Sequence, residues 1–184
     1  MTTHKLLGIS GSLRAESYNS KLLAEAARHY ADAEYATGDL RLPLYDGDIE
    51  VSSGIPPEVR KLADQIAAAD AVLIATPEYN KAISGVLKNA LDWVSRVNGG
   101  AGNSPLNGKP VAILSATAGR AGGERAQMML RWCLLPFQPD LLQGPEVLVA
   151  QTHTQFDDNH QLTGDLNIET LNGLMTALKA KVTG

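Results

Sequence analysis

Apolar residues along the chain fall into two patterns, short unbroken runs and stripes that repeat every 3.6 residues or so. The runs cover residues 4–10, 33–40, 70–76, 109–116 and 145–150 and predict β-strands. The stripes predict helices over 18–31, 56–69, 83–97, 122–135 and 168–182. In the first helix Leu22, Leu23, Ala26, Ala27 and Tyr30 share one face. Pro56-Pro57 opens the second, where Val59, Leu62, Ala63 and Ile66 form the buried stripe. Ile168, Leu171, Leu174, Met175, Leu178 and Val182 do the same for the last. The run Ala71-Val72-Leu73-Ile74-Ala75 has no polar position, as expected of a strand covered on both faces. Strand and helix alternate with short links and no internal repeat, so residues 1–184 are expected to form one α/β domain. Its architecture should be a doubly wound, five-stranded parallel sheet with helices on both faces. Such sheets bind ligands beyond the carboxyl ends of their strands, which directs attention to the loops there.

The first of these loops reads Ser10-Gly11-Ser12-Leu13-Arg14-Ala15-Glu16-Ser17-Tyr18-Asn19 and runs straight into a helix. A helix start offers unpaired N–H groups and the positive end of the macrodipole, a natural anion site. Ser10, Ser12, Ser17, Asn19 and Arg14 can complete a cage around a phosphate monoester. Each hydroxyl alone is equally an ordinary turn or N-cap residue; the set at one junction favours phosphate. Neither Gly-x-x-x-x-Gly-Lys-Ser/Thr nor Gly-x-Gly-x-x-Gly occurs here, which argues against a nucleoside triphosphate loop and against Rossmann-type dinucleotide binding.

After the third strand comes Thr76-Pro77-Glu78-Tyr79-Asn80. Pro77 fixes the backbone direction, while Glu78, Tyr79 and Asn80 offer N–H groups and a flat aromatic wall, suited to the edge of a planar ring. An exposed turn is the plainer alternative. After the fourth strand, Ser115-Ala116-Thr117-Ala118-Gly119-Arg120-Ala121-Gly122-Gly123 has little side-chain bulk and lets backbone approach a ligand closely.

Net charge is −4 and charged residues make up 20%, so no basic surface argues for nucleic acid. No apolar run approaches the roughly 20 residues of a membrane helix, and residues 1–5 do not read as a signal peptide. The expected location is the cytoplasm. The single cysteine, Cys133, cannot form a disulfide within the chain. His4, His29, His153 and His160 have no metal-ligand spacing, and no metal site is expected.

Gly11-Ser12-Leu13-Arg14 with Ser17 and Asn19, Pro77-Glu78-Tyr79-Asn80, and Lys88-Asn89-Ala90-Leu91-Asp92-Trp93 resemble the NAD(P)H-dependent FMN reductases. Leu42-Pro43-Leu44-Tyr45-Asp46 and Gly122-Gly123-Glu124-Arg125-Ala126-Gln127 resemble the same family, which includes chromate, quinone and azo-dye reductases. The resemblance implies a flavodoxin-like fold with sheet order 2-1-3-4-5. It also implies FMN as cofactor, NADPH or NADH as co-substrate, and a small-molecule electron acceptor. FMN phosphate would lie on Ser10, Ser12, Arg14, Ser17 and Asn19, with Leu13 and Tyr18 also binding the cofactor. The flavin ring would lie against Pro77, Glu78, Tyr79 and Asn80, with Ser115 and Gly119 near its far side. Hydride would pass through the flavin by ping-pong kinetics, without a dedicated acid–base residue. An electron-carrier flavodoxin and a flavin-binding sensor remain as alternatives.

Two further expectations concern assembly and the long links. Apolar residues around helices 83–97 and 122–135 exceed one buried stripe, which predicts a homo-oligomer, at least a dimer, with the flavin site near the contact, and the resemblance implies a homodimer or homotetramer. The Gly-rich link 98–108 should lie at the end of the sheet away from the ligand, and segment 151–164 should leave the ligand edge and reach towards a partner.

Overall fold

The structure is a computed structural model and describes residues 3–184. Strands β1 (His4–Ser10), β2 (Ala33–Gly38), β3 (Ala71–Thr76) and β4 (Pro110–Ala116) pair in parallel in the order β2-β1-β3-β4. Two short pieces, β5 (Asp140–Leu141) and β6 (Val147–Val149), then share the place beyond β4. The expected fifth strand over 145–150 is thus shorter and has a detached companion. Pro145 has no N–H to give a ladder, so pairing resumes only at Val147.

Helices cover both faces. On one, Leu7, Ile9, Val72, Ile74, Val111 and Ile113 meet α3 (Pro57–Ala68), α4 (Gly85–Val94) and α5 (Glu124–Leu134). On the other, Leu6, Leu73, Ala75, Ala112 and Leu114 meet α1 (Tyr18–Tyr30) and α6 (Asp165–Thr183). Every residue of β3 is buried, as its unbroken apolar run requires. The remaining helix, α2 (Gly47–Ser53), has no counterpart in the apolar pattern, because none of its residues is buried. Its signals are local: Asp46 accepts the Asp48 N–H as N-cap, and Gly54 (φ 76°) ends it.

The link 98–108 does lie at the amino edge of β4, where the Gly108 N–H bonds the Gln138 carbonyl. Segment 151–164 does leave the carboxyl edge, but it folds back on its own chain. Phe156 packs its ring 5.5 Å from that of Tyr18, and the Leu162 N–H donates to the Glu25 carboxylate at 3.1 Å.

Candidate functional site

Three loops at the carboxyl edge enclose a cavity of about 450 Å³, within the range of roughly 300–1,000 Å³ usual for small-molecule sites. The loop after β1 contributes Ser12, Arg14 and Ser17, and the start of α1 contributes Tyr18 and Asn19. The loop after β3 contributes Pro77, Glu78 and Tyr79, and the loop after β4 contributes residues 117–121. Arg125 of α5 and Thr152, just beyond β6, complete the wall.

The first loop is held close to the second by a backbone crossing. The Gly11 N–H donates to the Ala75 carbonyl at 2.8 Å, and the Ser84 hydroxyl donates to the Gly11 carbonyl at 2.5 Å. A Cβ on Gly11 would sit 3.0 Å from Ser84 Oγ and 3.1 Å from Pro77 Cδ, so a side chain there would push the two loops apart. Ser17 then caps α1 by accepting the Ser20 N–H at 3.3 Å. The first intrahelical bond runs from the Lys21 N–H to the Ser17 carbonyl, which leaves the N–H groups of Tyr18 and Asn19 without helical partners. No acidic residue occupies the first turn of α1 to neutralise its positive end.

The second loop ends in a two-residue hairpin in which Tyr79 and Ala82 exchange N–H···O bonds of 3.0 Å. Its central residues Asn80 (φ 53°) and Lys81 (φ 67°) are left-handed, as a type I′ turn demands. Tyr79 stands half exposed at the mouth of the cavity. Glu78 pairs with Arg125 at 2.9 Å through one carboxylate oxygen. Its other oxygen, Oε2, is buried and has no hydrogen-bond partner among the described residues. The same is true of the hydroxyl of Thr152, a fully buried residue.

The third loop is thin at its end because Gly122 and Gly123 have no room for side chains. A Cβ on Gly123 (φ 94°) would lie 2.6 Å from the Cβ of Ser115. Beneath it, Ser115 donates to the Gly122 carbonyl at 2.6 Å and accepts from the Gln127 amide at 2.9 Å.

Most of the expected site residues meet at this cavity: Ser12, Arg14, Ser17, Tyr18 and Asn19 from one side, Pro77, Glu78, Tyr79 and Gly119 from the other. Four lie elsewhere. Ser10 bonds Ser20 and the Ser12 backbone, bracing the loop from below, and with Leu13 it lines a separate cavity. Asn80 is spent on the turn, and Ser115 is buried under the floor. Asn19 is a special case. Its amide donates to the Ala116 carbonyl at 2.9 Å and its oxygen accepts the Ala116 N–H at 3.0 Å, so its side chain is committed to β4 rather than to the cavity. Thr152 was not among the expected residues, although its position directly after the last strand obeys the same carboxyl-edge rule.

A parallel sheet in the order 2-1-3-4-5, with helices on both faces and a cavity over its carboxyl edge, is flavodoxin-like. Comparison with known proteins narrows this. The model of the NADPH-dependent FMN reductases matches residues 4–154. An NAD(P)H-dependent FMN reductase of Pseudomonas aeruginosa is 44% identical, covering 95% of this chain and 93% of its own. A quinone reductase of Escherichia coli is 35% identical, covering 94% and 92%. Among solved structures, the flavoenzyme NAD(P)H:(acceptor) oxidoreductase FerB of Paracoccus denitrificans superposes with a TM-score of 0.86 at 30% identity, covering 98% and 97%. The chain belongs to the NADPH-dependent FMN reductase family. It is an oxidoreductase, with FMN and NAD(P)H as its redox groups.

The residues present fit FMN. A phosphate matches the acid-free start of α1 with Arg14 beside it. A flavin ring edge, which alternates carbonyl acceptors with an N–H donor, matches the two unpartnered oxygens of Glu78 and Thr152.

Proposed function

We propose that this chain holds FMN in the 450 Å³ cavity and passes reducing equivalents from NAD(P)H to small-molecule acceptors such as quinones, azo compounds, metal oxyanions and free flavin. The observation that carries the reading is one of coincidence. An uncompensated helix N-terminus beside Arg14 and a cleft ending in two unpartnered buried oxygens occur at the same sheet edge. We assign the phosphate to Ser12, Arg14, Ser17 and the N–H groups of Tyr18 and Asn19. The ring goes to Pro77, Glu78, Tyr79, Gly119 and Thr152, while Ser10, Leu13, Asn80 and Ser115 support the loops.

When bound, FMN supplies the hydride chemistry, accepting from the nicotinamide and giving to the acceptor. The protein supplies position. Arg125 holds Glu78 against the cavity wall, and the Gln127–Ser115–Gly122 chain of bonds fixes the floor. Donor and acceptor enter in turn past the half-exposed Tyr79, so ping-pong kinetics are expected. The quinone class is supported by relatives named quinone reductase in Escherichia coli and 2-hydroxy-1,4-benzoquinone reductase in a Burkholderia species. The reaction consumes reduced nicotinamide, which favours the cytoplasm. Among the described residues no helix is long and apolar enough to cross a membrane.

The reading includes a homodimer or homotetramer. On α5 and just beyond it Met128, Met129, Trp132 and Leu135 are exposed, Trp132 to 70%. The apolar excess of α4 has a different explanation, since Trp93 and Val94 are buried within their own chain and the Trp93 indole donates to the Pro43 carbonyl.

The test is to mix the purified protein with FMN and NADPH without air. Loss of the yellow colour at a catalytic rate, with recovery on adding a benzoquinone, is expected. A protein that binds FMN but leaves it oxidised would refute the reductase reading.

A further inference from the structure

Four charged side chains line the main cavity: Arg14, Glu78, Arg120 and Arg125. Three of them already have a duty. Arg14 stands beside the acid-free start of α1, where the phosphate is assigned, and Arg125 pairs with Glu78 at 2.9 Å. Arg120 is left over. Its side chain is exposed, and among the described residues no carboxylate or carbonyl holds its guanidinium. The Glu78–Arg125 pair is neutral as a unit, so the ring end of the cavity keeps one uncompensated positive charge, on Arg120.

The backbone that carries Arg120 is fixed although its side chain is free. On one side the Gly119 carbonyl accepts the Gln151 N–H, and on the other the Ala121 carbonyl accepts the Glu124 N–H, both at 3.2 Å. The Thr152 N–H donates to the Thr117 carbonyl at 3.2 Å and ties the same loop to the end of β6. Gly119 is assigned above to the flavin ring, so Arg120, the next residue, stands at the rim where a second flat molecule arrives. Its neighbours Thr117, Ala118, Gly119 and Ala121 carry no charge and little bulk. On meeting an anion this guanidinium gives up no existing ion pair. Its planar fork of N–H donors matches the oxygens of a carboxylate or sulfonate.

We propose that Arg120 is a specificity-determining residue for the electron acceptor: it binds an acidic substituent on a flat acceptor and makes the site favour sulfonated or carboxylated quinones over neutral ones. The proposal deepens the reductase reading above and rests on it. The reaction itself is unchanged, with NADPH, a proton and the quinone giving NADP⁺ and the hydroquinone. A neutral quinone gains nothing from the guanidinium. The diphosphate of the nicotinamide donor is the competing claimant. It is set off from the reacting ring by a ribose, whereas a sulfonate is attached to the acceptor's ring directly, one residue's reach from Gly119.

The experiment compares 1,4-naphthoquinone-2-sulfonate with neutral menadione as acceptors for the FMN-loaded protein. In Arg120→Gln the ratio of kcat/KM for the sulfonate to that for menadione should fall about three- to tenfold, between the worth of an exposed ion pair and that of a charge-assisted bond. Arg120→Glu should lower it further, since attraction becomes repulsion, and Arg120→Lys should keep most of it. Loss of folded protein cannot imitate this pattern, because both acceptors meet the same sample. Binding is read separately by titrating the oxidised protein with unreactive naphthalene-2-sulfonate and with 2-naphthol, following the flavin absorbance. Arg120→Gln should weaken the sulfonate by a similar factor and leave 2-naphthol unchanged. Raising salt from about 0.05 to 0.5 M should weaken the sulfonate for the parent alone. A ratio within twofold of the parent's in both the Gln and Glu variants overturns the proposal. So does an unchanged ratio accompanied by equal rises in KM for NADH and NADPH, which would give Arg120 to the donor's diphosphate. Failure of the reductase reading looks different: the parent would then reduce neither quinone, while the naphthalene-2-sulfonate titration would still report on Arg120.

Discussion

Asn19→Ala should cost fold stability far more than it costs FMN phosphate affinity. The Asn19 amide makes bonds of 2.9 and 3.0 Å to the carbonyl and N–H of Ala116, and both residues are only 3% exposed. Thr117 turns its N–H to Val149 of β6, so in a parallel ladder Ala116 faces the opposite side, where β3 has ended at Thr76. The Asn19 side chain therefore stands in for the next residue of β3. Alanine leaves one buried donor and one buried acceptor unpaired, at about 1–3 kcal/mol each. Allowing for partial entry of water, the net loss should be about 3 kcal/mol. That is a large share of the 5–15 kcal/mol typical of a domain. With a urea m-value of about 2–3 kcal/mol per molar, the unfolding midpoint should fall by roughly 1–1.5 M. Arg14→Ala should show the reverse pattern, a midpoint within about 0.2 M of the parent's but FMN binding weakened about 10- to 100-fold, with riboflavin little affected. Both variants are measured by urea unfolding of the apoprotein and by flavin titration. An Asn19→Ala midpoint within about 0.3 M of the parent's, with FMN lost in preference to riboflavin, would refute the structural assignment.

Two further outcomes are expected. Burial alone would raise the Glu25 carboxyl, but Arg28 and the Leu162 N–H outweigh it and hold the group below its usual range. A depressed carboxyl stabilises the fold above its unfolded pKa, and that contribution is lost as pH falls through the folded one, so Glu25→Gln should flatten the acid limb of the stability curve. Urea midpoints at pH 7 and pH 3.5 check this, and parallel curves for parent and variant would contradict it. The exposed Trp132 leads to the second: Trp132→Glu should convert a dimer or tetramer into a 19.6 kDa species in sedimentation. A parent that already sediments at 19.6 kDa while reducing FMN at full rate would end the oligomer proposal.

The fold was legible wherever burial imposed a period on the sequence. β3 and the stripes of α1, α3 and α6 are plain in the chain because each must hide an apolar face in one of the two cores. α2 escaped because it buries nothing and is defined by Asp46 and Gly54 alone. The split of the fifth strand escaped for a related reason. Two or three paired residues are too few to establish an alternation, and the break depends on an N–H that Pro145 lacks.

The site divides along a different line. Composition identifies which loops matter, since serines, Arg14 and glycines at the carboxyl edge are visible as types. Their separate duties are not, because a polar side chain beside a ligand cavity can equally face the backbone. Asn19, Ser10 and Ser115 have the right chemistry for a ligand, yet each is taken up by a neighbouring chain segment: Ala116, Ser20 and Gly122 respectively. Thr152 and Glu78 show the converse. Their buried oxygens find no partner among the described residues, and a buried polar group left unpaired is costly. A fold that keeps two such oxygens at one cavity wall is best understood as incomplete until a ligand satisfies them. On the proposed reading the ring meets these two oxygens, whereas the third unpartnered one, Gln127 Oε1, belongs to a residue that does not line the cavity.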